Sequence, residues 1–317
     1  MIRGEIPPPK SRPLNSPNNI LGITLMMLGM LLMACMDTAA KWLVEADVSP
    51  IQVVAMRSWI IVPIILLFLF ARGQLASLKT ARPFAHGLRG GLGLFAPLPF
   101  FAALQFLPLA DATVVFFSSG FILTAISAIV LKEHVGIYRW SAVVIGFCGV
   151  VIAMNPEGDG DYWAYLMVLV SALTYAGIQV SGKQLMKQDS VISLVFSFNL
   201  MIGLASSALL PWVWVSVSWP VIGVVLLMAL LAVSGHIALT TAFGKAEVSA
   251  IAPFEYTALI WVVLLGYLLF QDIPSQQVWL GASIVIGCGL FMIYRESLHK
   301  RVRSLSDKGN PSEGKSF

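Results

Sequence analysis

Charge is what this sequence has least of. Of its 317 residues only 11% are Asp, Glu, Lys or Arg, against 58% hydrophobic. A soluble globule of this size needs far more polar surface, so the composition selects a lipid bilayer as solvent. Cysteine is nearly absent: Cys35, Cys148 and Cys288 each lie inside an apolar run without CxxC spacing. That pattern supports neither a disulfide framework nor a zinc site. Histidine is sparse as well, with His86, His134, His236 and His299 scattered along the chain. A membrane-embedded enzyme such as a lipid-processing transferase would gather His and Asp at one interface, so it stands as the lesser alternative, beside a sensory or structural membrane subunit. No Walker sequence, hydrolase serine elbow or HExxH occurs, which disfavours an ATP-driven pump and a metalloenzyme. No cofactor and no metal are expected. The net charge of +4 resides in short segments between apolar runs, where basic residues act as topology signals and not as a nucleic-acid surface.

What is there is a series of long apolar blocks. A helix rises about 1.5 Å per residue and the hydrocarbon layer is roughly 30 Å thick, so a crossing needs about 20 mainly apolar residues. Ten segments qualify, at residues 19–43, 50–71, 84–106, 112–131, 140–154, 162–183, 191–212, 220–243, 248–270 and 278–294. Continuous blocks exclude a transmembrane barrel, whose strands alternate, so an all-α integral membrane fold is expected. The loops at 44–49, 107–111, 155–161, 213–219 and 271–277 contain no Lys or Arg. The intervening loops carry Arg72, Lys79 and Arg82, then Lys132 and Arg139, then Lys187, then Lys245. This asymmetry places both termini in the cytoplasm. Residues 1–18, polar and Pro-rich with Arg3, Lys10 and Arg12, read as a cytoplasmic arm and not a signal peptide. The tail at 295–317, with six basic residues among Ser, Gly and Asp, reads as disordered.

The two halves resemble each other. At an offset of 142 residues Lys41 falls on Lys183, Ala34 on Ala176, Leu43 on Leu185 and Arg57 on Asn199. Glu133 stands seven residues before Trp140, as Asp272 stands seven before Trp279. Residues 19–154 and 162–294 thus form a tandem duplication. Each unit has five spans, an odd number, so the second copy lies inverted, the architecture of many secondary transporters.

These strings resemble the drug/metabolite transporter superfamily and its EamA-type members. The resemblance rests on Asp37 and Lys41 in "MDTAAKWL", Arg57 in "QVVAMRSW", "RPFAHGLRG", "LPLADATVV" leading to "LKEHVGIYRW", and "APFEYTALIWVVLLGYLLFQDIPS" leading to "WLGASIVIG". It implies a ten-helix bundle of two repeats in a bacterial inner membrane, with a central substrate cavity and alternating access. "RPFAHGLRG" also resembles the S-adenosylmethionine uptake branch, from which the chain departs at Glu255, where a basic residue is expected. The expected partners are a small organic solute and membrane lipid, without nucleic acid, and a homodimer is left open.

Ionisable groups inside spans cost about 2.5 to 3.5 kcal/mol at mid-helix on insertion scales, so each needs a partner, a wet cavity or a role. Asp37 and Lys41, four apart on the first span, are placed for a local salt bridge. Asp37 lies about 9 Å deep and Arg57 about 10 Å deep, so the two can also meet across neighbouring helices. A structural cluster at an outer gate and direct contact with substrate both fit. Glu255 lies about 10 Å from the other face, beside Pro253, which lacks an amide donor, and Tyr256, which offers a hydroxyl. It reads as a proton-coupling or substrate group, or as a Glu satisfied by neighbouring hydroxyls. Gln179, the repeat counterpart of Asp37, makes a polar edge with Tyr175 and Ser181. Phe95, Phe100, Phe101 and Phe116 are candidates for cavity walls. His236 is a possible proton carrier, though a lone His more often packs. The glycines of "HGLRGGLGL" lie in an apolar span with no strand before them and read as helix-packing positions.

Overall fold

The computed structural model describes residues 17–80, 82–130, 135–155, 161–185, 189–246 and 248–309. The N-terminal basic residues, Lys132, Glu133, His134 and Lys187 lie outside the described residues, as do the side chains of Lys183 and His299. Every regular element among the described residues is a helix. Nine stretches among the described residues are long and apolar enough to cross a bilayer. The tenth crossing, third in chain order, is broken into Pro83–Leu92, a 3-10 turn at Gly93–Phe95, and Pro97–Ala103. Pro97 and Pro99 carry no amide donors, so the ladder cannot run through them. Backbone left free in an apolar span must find another partner, and the Ser171 hydroxyl of the sixth span donates to the Ala96 carbonyl there.

The fourth and ninth spans also break, at related places. The fourth is Leu109–Phe116 followed by Ser118–Val130, and the ninth is Val248–Ile251, a 3-10 segment at Ala252–Tyr256, and Thr257–Phe270. Pro253 accounts for the second break. Phe117 and Tyr256, one at each break, stack edge to face with centroids 5.4 Å apart.

The repeats interleave instead of sitting side by side. The first span packs on the eighth as the sixth packs on the third, and the first meets the ninth as the sixth meets the fourth. The second contacts the eighth as the seventh contacts the third, while the second pairs with the seventh and the fifth with the tenth. Moving every span five places along the chain maps this set of pairings onto itself, which is a two-fold relation between the halves. Lipid tails are as apolar as leucine, so close backbone approach, not expulsion of water, holds such helices together. Glycines supply it: Gly149 of the fifth span faces Ile284, and Gly281 of the tenth faces Ala153. Gly90 and Gly93 of the third span likewise meet Met201 and Phe198 of the seventh, as expected for the "HGLRGGLGL" glycines, whereas Gly87 and Gly91 of the same stretch face open space. Leu43, Phe101, Leu104, Leu109, Ile202 and Met228 are fully buried in one core drawn from both repeats.

The last helix differs from the sequence expectation. It runs Gln276–Gly309 and so carries helix well past residue 295, where disorder is expected. Between Arg295 and Gly309 there is no Gly or Pro, and extending an existing helix avoids the nucleation cost that an isolated segment bears.

Candidate functional site

The end of the bundle whose loops lack Lys and Arg is closed by Lys41. Only 4% exposed, its ammonium lies 2.8 Å from Asp272 Oδ2 and 3.4 Å from Glu45 Oε1, and donates to the Leu107 carbonyl at 3.2 Å. It stands 4.9 Å above the Phe270 ring. One cation thereby ties the first span to the loop before the fourth and to the end of the ninth. The expected local pair between Asp37 and Lys41 does not form. The long lysine stem reaches toward the helix end, where partly exposed carboxylates are less costly to keep charged. Beside this cluster Asp111, 8% exposed, lies near Tyr165 and in the field of Lys41 and Asp272, with its buried Oδ1 lacking a hydrogen-bond partner among the described residues. A second, neutral clasp sits at the same end. The fully buried Gln52 amide donates to the Val215 carbonyl at 2.8 Å and accepts from the Val215 amide at 2.9 Å.

Deeper in the bundle Asp37 and Arg57 face each other closely enough to interact electrostatically, yet they form no ion pair. Arg57 is 9% exposed, reaches Met36 Sδ at 3.9 Å, lies 5.7 Å from the Phe101 ring, and leaves its buried Nε without a hydrogen-bond partner. His236 of the eighth span is in the field of Arg57. From Arg57 an aromatic wall leads across the bundle. Phe101 contacts Phe100 at 6.1 Å between centroids, Phe100 contacts Phe116 at 5.3 Å, and Phe116 contacts Tyr175 at 5.4 Å. Tyr175 in turn interacts electrostatically with Glu255. Tyr175 is 40% exposed, though it is on the same helix face as the buried Ser171 and Ala172, so its open surface faces the space between the repeats. Gln179 is exposed one turn further along.

Most of the residues expected from sequence therefore surround one interior: Asp37 and Arg57 on one side, Tyr175, Gln179 and Glu255 on the other, with Phe100, Phe101 and Phe116 between. Lys41 lies at the closed end. Tyr256 turns away, its ring on Phe117 and its hydroxyl against Gly289 of the tenth span, and makes no hydrogen bond to Glu255. Phe95 and Ser181 line a separate groove between the third and sixth spans. Glu255 and Tyr256 are adjacent along a helical segment, and adjacent positions point to different faces.

A network at the opposite, basic end has no place in the sequence reading. His86, 3% exposed, bridges Asp189 Oδ2 at 2.9 Å and Ser197 Oγ at 2.7 Å, and Thr80 donates to the same Asp189 oxygen at 2.9 Å. The Ser190 hydroxyl adds a bond to the Ser77 carbonyl at 2.9 Å. The loop after the second span is thus held to the start of the seventh, as Gln52 holds the loop after the seventh to the start of the second. The clasps are two-fold mates in position and unlike in chemistry. His86 in "RPFAHGLRG" and Asp189 just before a span were the available signals. Asp272, the one acid in its loop, was the signal for the other end.

Two inverted five-span repeats enclosing unpaired charges in a lipid-embedded bundle define a membrane transport protein. The chain belongs to the EamA-like transporter family, which it matches over residues 20–155 and 162–295. It is 28% identical over 280 residues to an S-adenosylmethionine uptake transporter of Rickettsia felis, covering 87% of this chain and 94% of that one. A riboflavin transporter of Rhizobium johnstonii is 26% identical over 289 residues, covering 89% and 94%. A protein of known crystal structure shares the fold, with a TM-score of 0.57 at 17% identity over 87% of this chain and 96% of that one. The family's members are transporters, and this chain is a transporter and not an enzyme.

Proposed function

We propose that this protein carries a small organic metabolite with a flat ring and a polar or charged side arm across a bacterial inner membrane, by alternating access between the two repeats. The observation that carries this reading is the aromatic wall from Phe101 to Tyr175 with a cation at one end and a carboxylate at the other. Stacking on such a wall selects planar solutes, and Arg57 and Glu255 select the sign and spacing of their charges. S-adenosylmethionine and riboflavin, named for the relatives, both combine a heterocycle with a polar arm. The Lys- and Arg-free end faces outside on this reading, so Lys41–Asp272 and Gln52–Val215 are outer closures. Asp37 completes the Arg57 side as a substrate or coupling group. Glu255, without a hydrogen-bond or ion partner among the described residues, supports proton coupling, the alternative being solute exchange.

The test is reconstitution of the purified chain in liposomes with radiolabelled S-adenosylmethionine and riboflavin. Uptake of one, competed by the other, is expected. An imposed proton gradient should accelerate it, and Glu255→Gln should remove that acceleration while exchange continues. Failure of both solutes to move overturns the substrate class, and an unchanged response to the gradient in Glu255→Gln overturns the coupling role.

A further inference from the structure

Away from the central site, a groove of about 540 Å3 runs between the third and sixth spans. Arg82 and Arg89 stand at its basic end, and Phe95 and Val170 line its far reach. From residue 82 to residue 95 the helical rise amounts to about 20 Å, so the groove extends from headgroup level into the acyl region. The two arginines are seven residues apart, two helical turns, and therefore share a face. Among the described residues, no acidic side chain lines the groove.

We infer that this groove is a binding site for one anionic glycerophospholipid, with its phosphate on Arg82 and Arg89 and an acyl chain laid along the apolar channel below. Three observations converge. Arg89 is held at the rim by its Nε–H on the Ile178 carbonyl at 3.3 Å and by the Phe198 ring 5.3 Å away, while its terminal nitrogens have no hydrogen-bond partner among the described residues. The guanidinium is thus positioned and still has donors to offer a phosphate. Next, Leu88, Leu92, Phe95 and Val170 are 53%, 54%, 50% and 45% exposed, and by helical spacing the sixth-span positions Val170 and Gly177 lie on the opposite side of that helix from Tyr175 and Gln179. The groove opens sideways, toward lipid, and not into the space between the repeats. Finally, the channel contains a vacancy in the helix wall: a Cβ on Gly177 would meet no atom within 4 Å. Basic rims over apolar clefts between spans on the positively charged side of a membrane protein are suited to anionic headgroups. A soluble phosphate would satisfy the arginines and leave the channel beneath it uncovered.

The test uses the full chain reconstituted in phosphatidylcholine vesicles with a trace of spin-labelled phosphatidylglycerol or spin-labelled phosphatidylcholine, read as the fraction of motionally restricted label. Phosphatidylglycerol should be preferred, each arginine contributing roughly a factor of five. Arg82→Ala with Arg89→Ala should bring the two labels level, and added salt should erode the preference. Gly177→Leu keeps both charges, has open space for its side chain, and should displace the lipid by filling the channel. Equal restriction of the two labels in the wild-type protein overturns the proposal, as does an unchanged preference in the double arginine variant. Unaltered retention in Gly177→Leu removes the acyl seat. Displacement by free glycerol 3-phosphate at millimolar level assigns the arginines to a soluble anion instead and equally overturns it.

Discussion

Replacing Asp272 by Asn perturbs the closed end of the bundle at the Lys41–Asp272 ion pair, which joins the two repeats. Lys41 is buried and loses its shortest contact, 2.8 Å, while the Leu107 carbonyl and Glu45 remain. A hydrogen bond to a charged group contributes about 1.5–3 kcal/mol. The Asp272 side chain is 25% exposed, so solvent screening puts the loss at the low end, about 1.5–2 kcal/mol. If the bond exists only when this end is closed, the open state gains that amount, a shift of roughly 10- to 30-fold. A cysteine at position 236, in a background lacking Cys35, Cys148 and Cys288, reports the shift. Its labelling by a membrane-impermeant maleimide applied at the Lys- and Arg-free face should quicken by that factor in Asp272→Asn. Glu45→Gln is the contrast, because Glu45 lies on the same helix as Lys41, at 3.4 Å and 42% exposed, and restrains no movement between repeats. It should leave the rate unchanged. Equal rates in Asp272→Asn and the parent, or an equal rise in Glu45→Gln, would refute the assignment of Lys41–Asp272 as a closure.

Two other predictions concern stability. His86→Ala leaves the buried Asp189 and Ser197 without a shared partner, and should cost about 2–3 kcal/mol, seen as a lowered midpoint of thermal unfolding in detergent. Gly281→Val drives a side chain into the Gly149 carbonyl and Ala153, an overpacking of about 1–3 kcal/mol that loosens the fifth span from the tenth. Gly287→Ala on the same helix, with open space around its Cβ, should melt no lower than the parent, so a fall equal to that of Gly281→Val would show that helix propensity and not packing was at issue.

The charges of the proposed central site were legible in the sequence because charge within an apolar span is so costly that each instance stands out. Asp37, Arg57 and Glu255 identified themselves in this way, and the structure places them around one interior. Partners were not legible. Lys41 looked bound to Asp37 because i,i+4 spacing is local and visible, whereas Asp272 is 231 residues away in sequence. Tyr256 looked like a donor to Glu255 because the two are neighbours in sequence, whereas adjacent helical positions point apart and Tyr256 packs on Phe117 and Gly289. His86 read only as one of four scattered histidines because a single histidine carries no spacing signal until Asp189 and Ser197 are folded against it.

The sequence by itself determined the solvent, the number of crossings and the duplication, since each follows from local hydropathy, loop charge and self-similarity. The long apolar blocks have only one way to satisfy their amides in lipid, and an odd repeat has only one way to be laid beside its copy. Tertiary structure alone decided which charges meet, where the spans break, and which faces turn to the interior or to lipid. Those choices depend on backbone approach at glycines such as Gly90, Gly149 and Gly281, and on contacts between halves far apart in sequence. A periodic apolar pattern constrains a helix along its axis and says little about its rotation when lipid and protein neighbours are equally apolar.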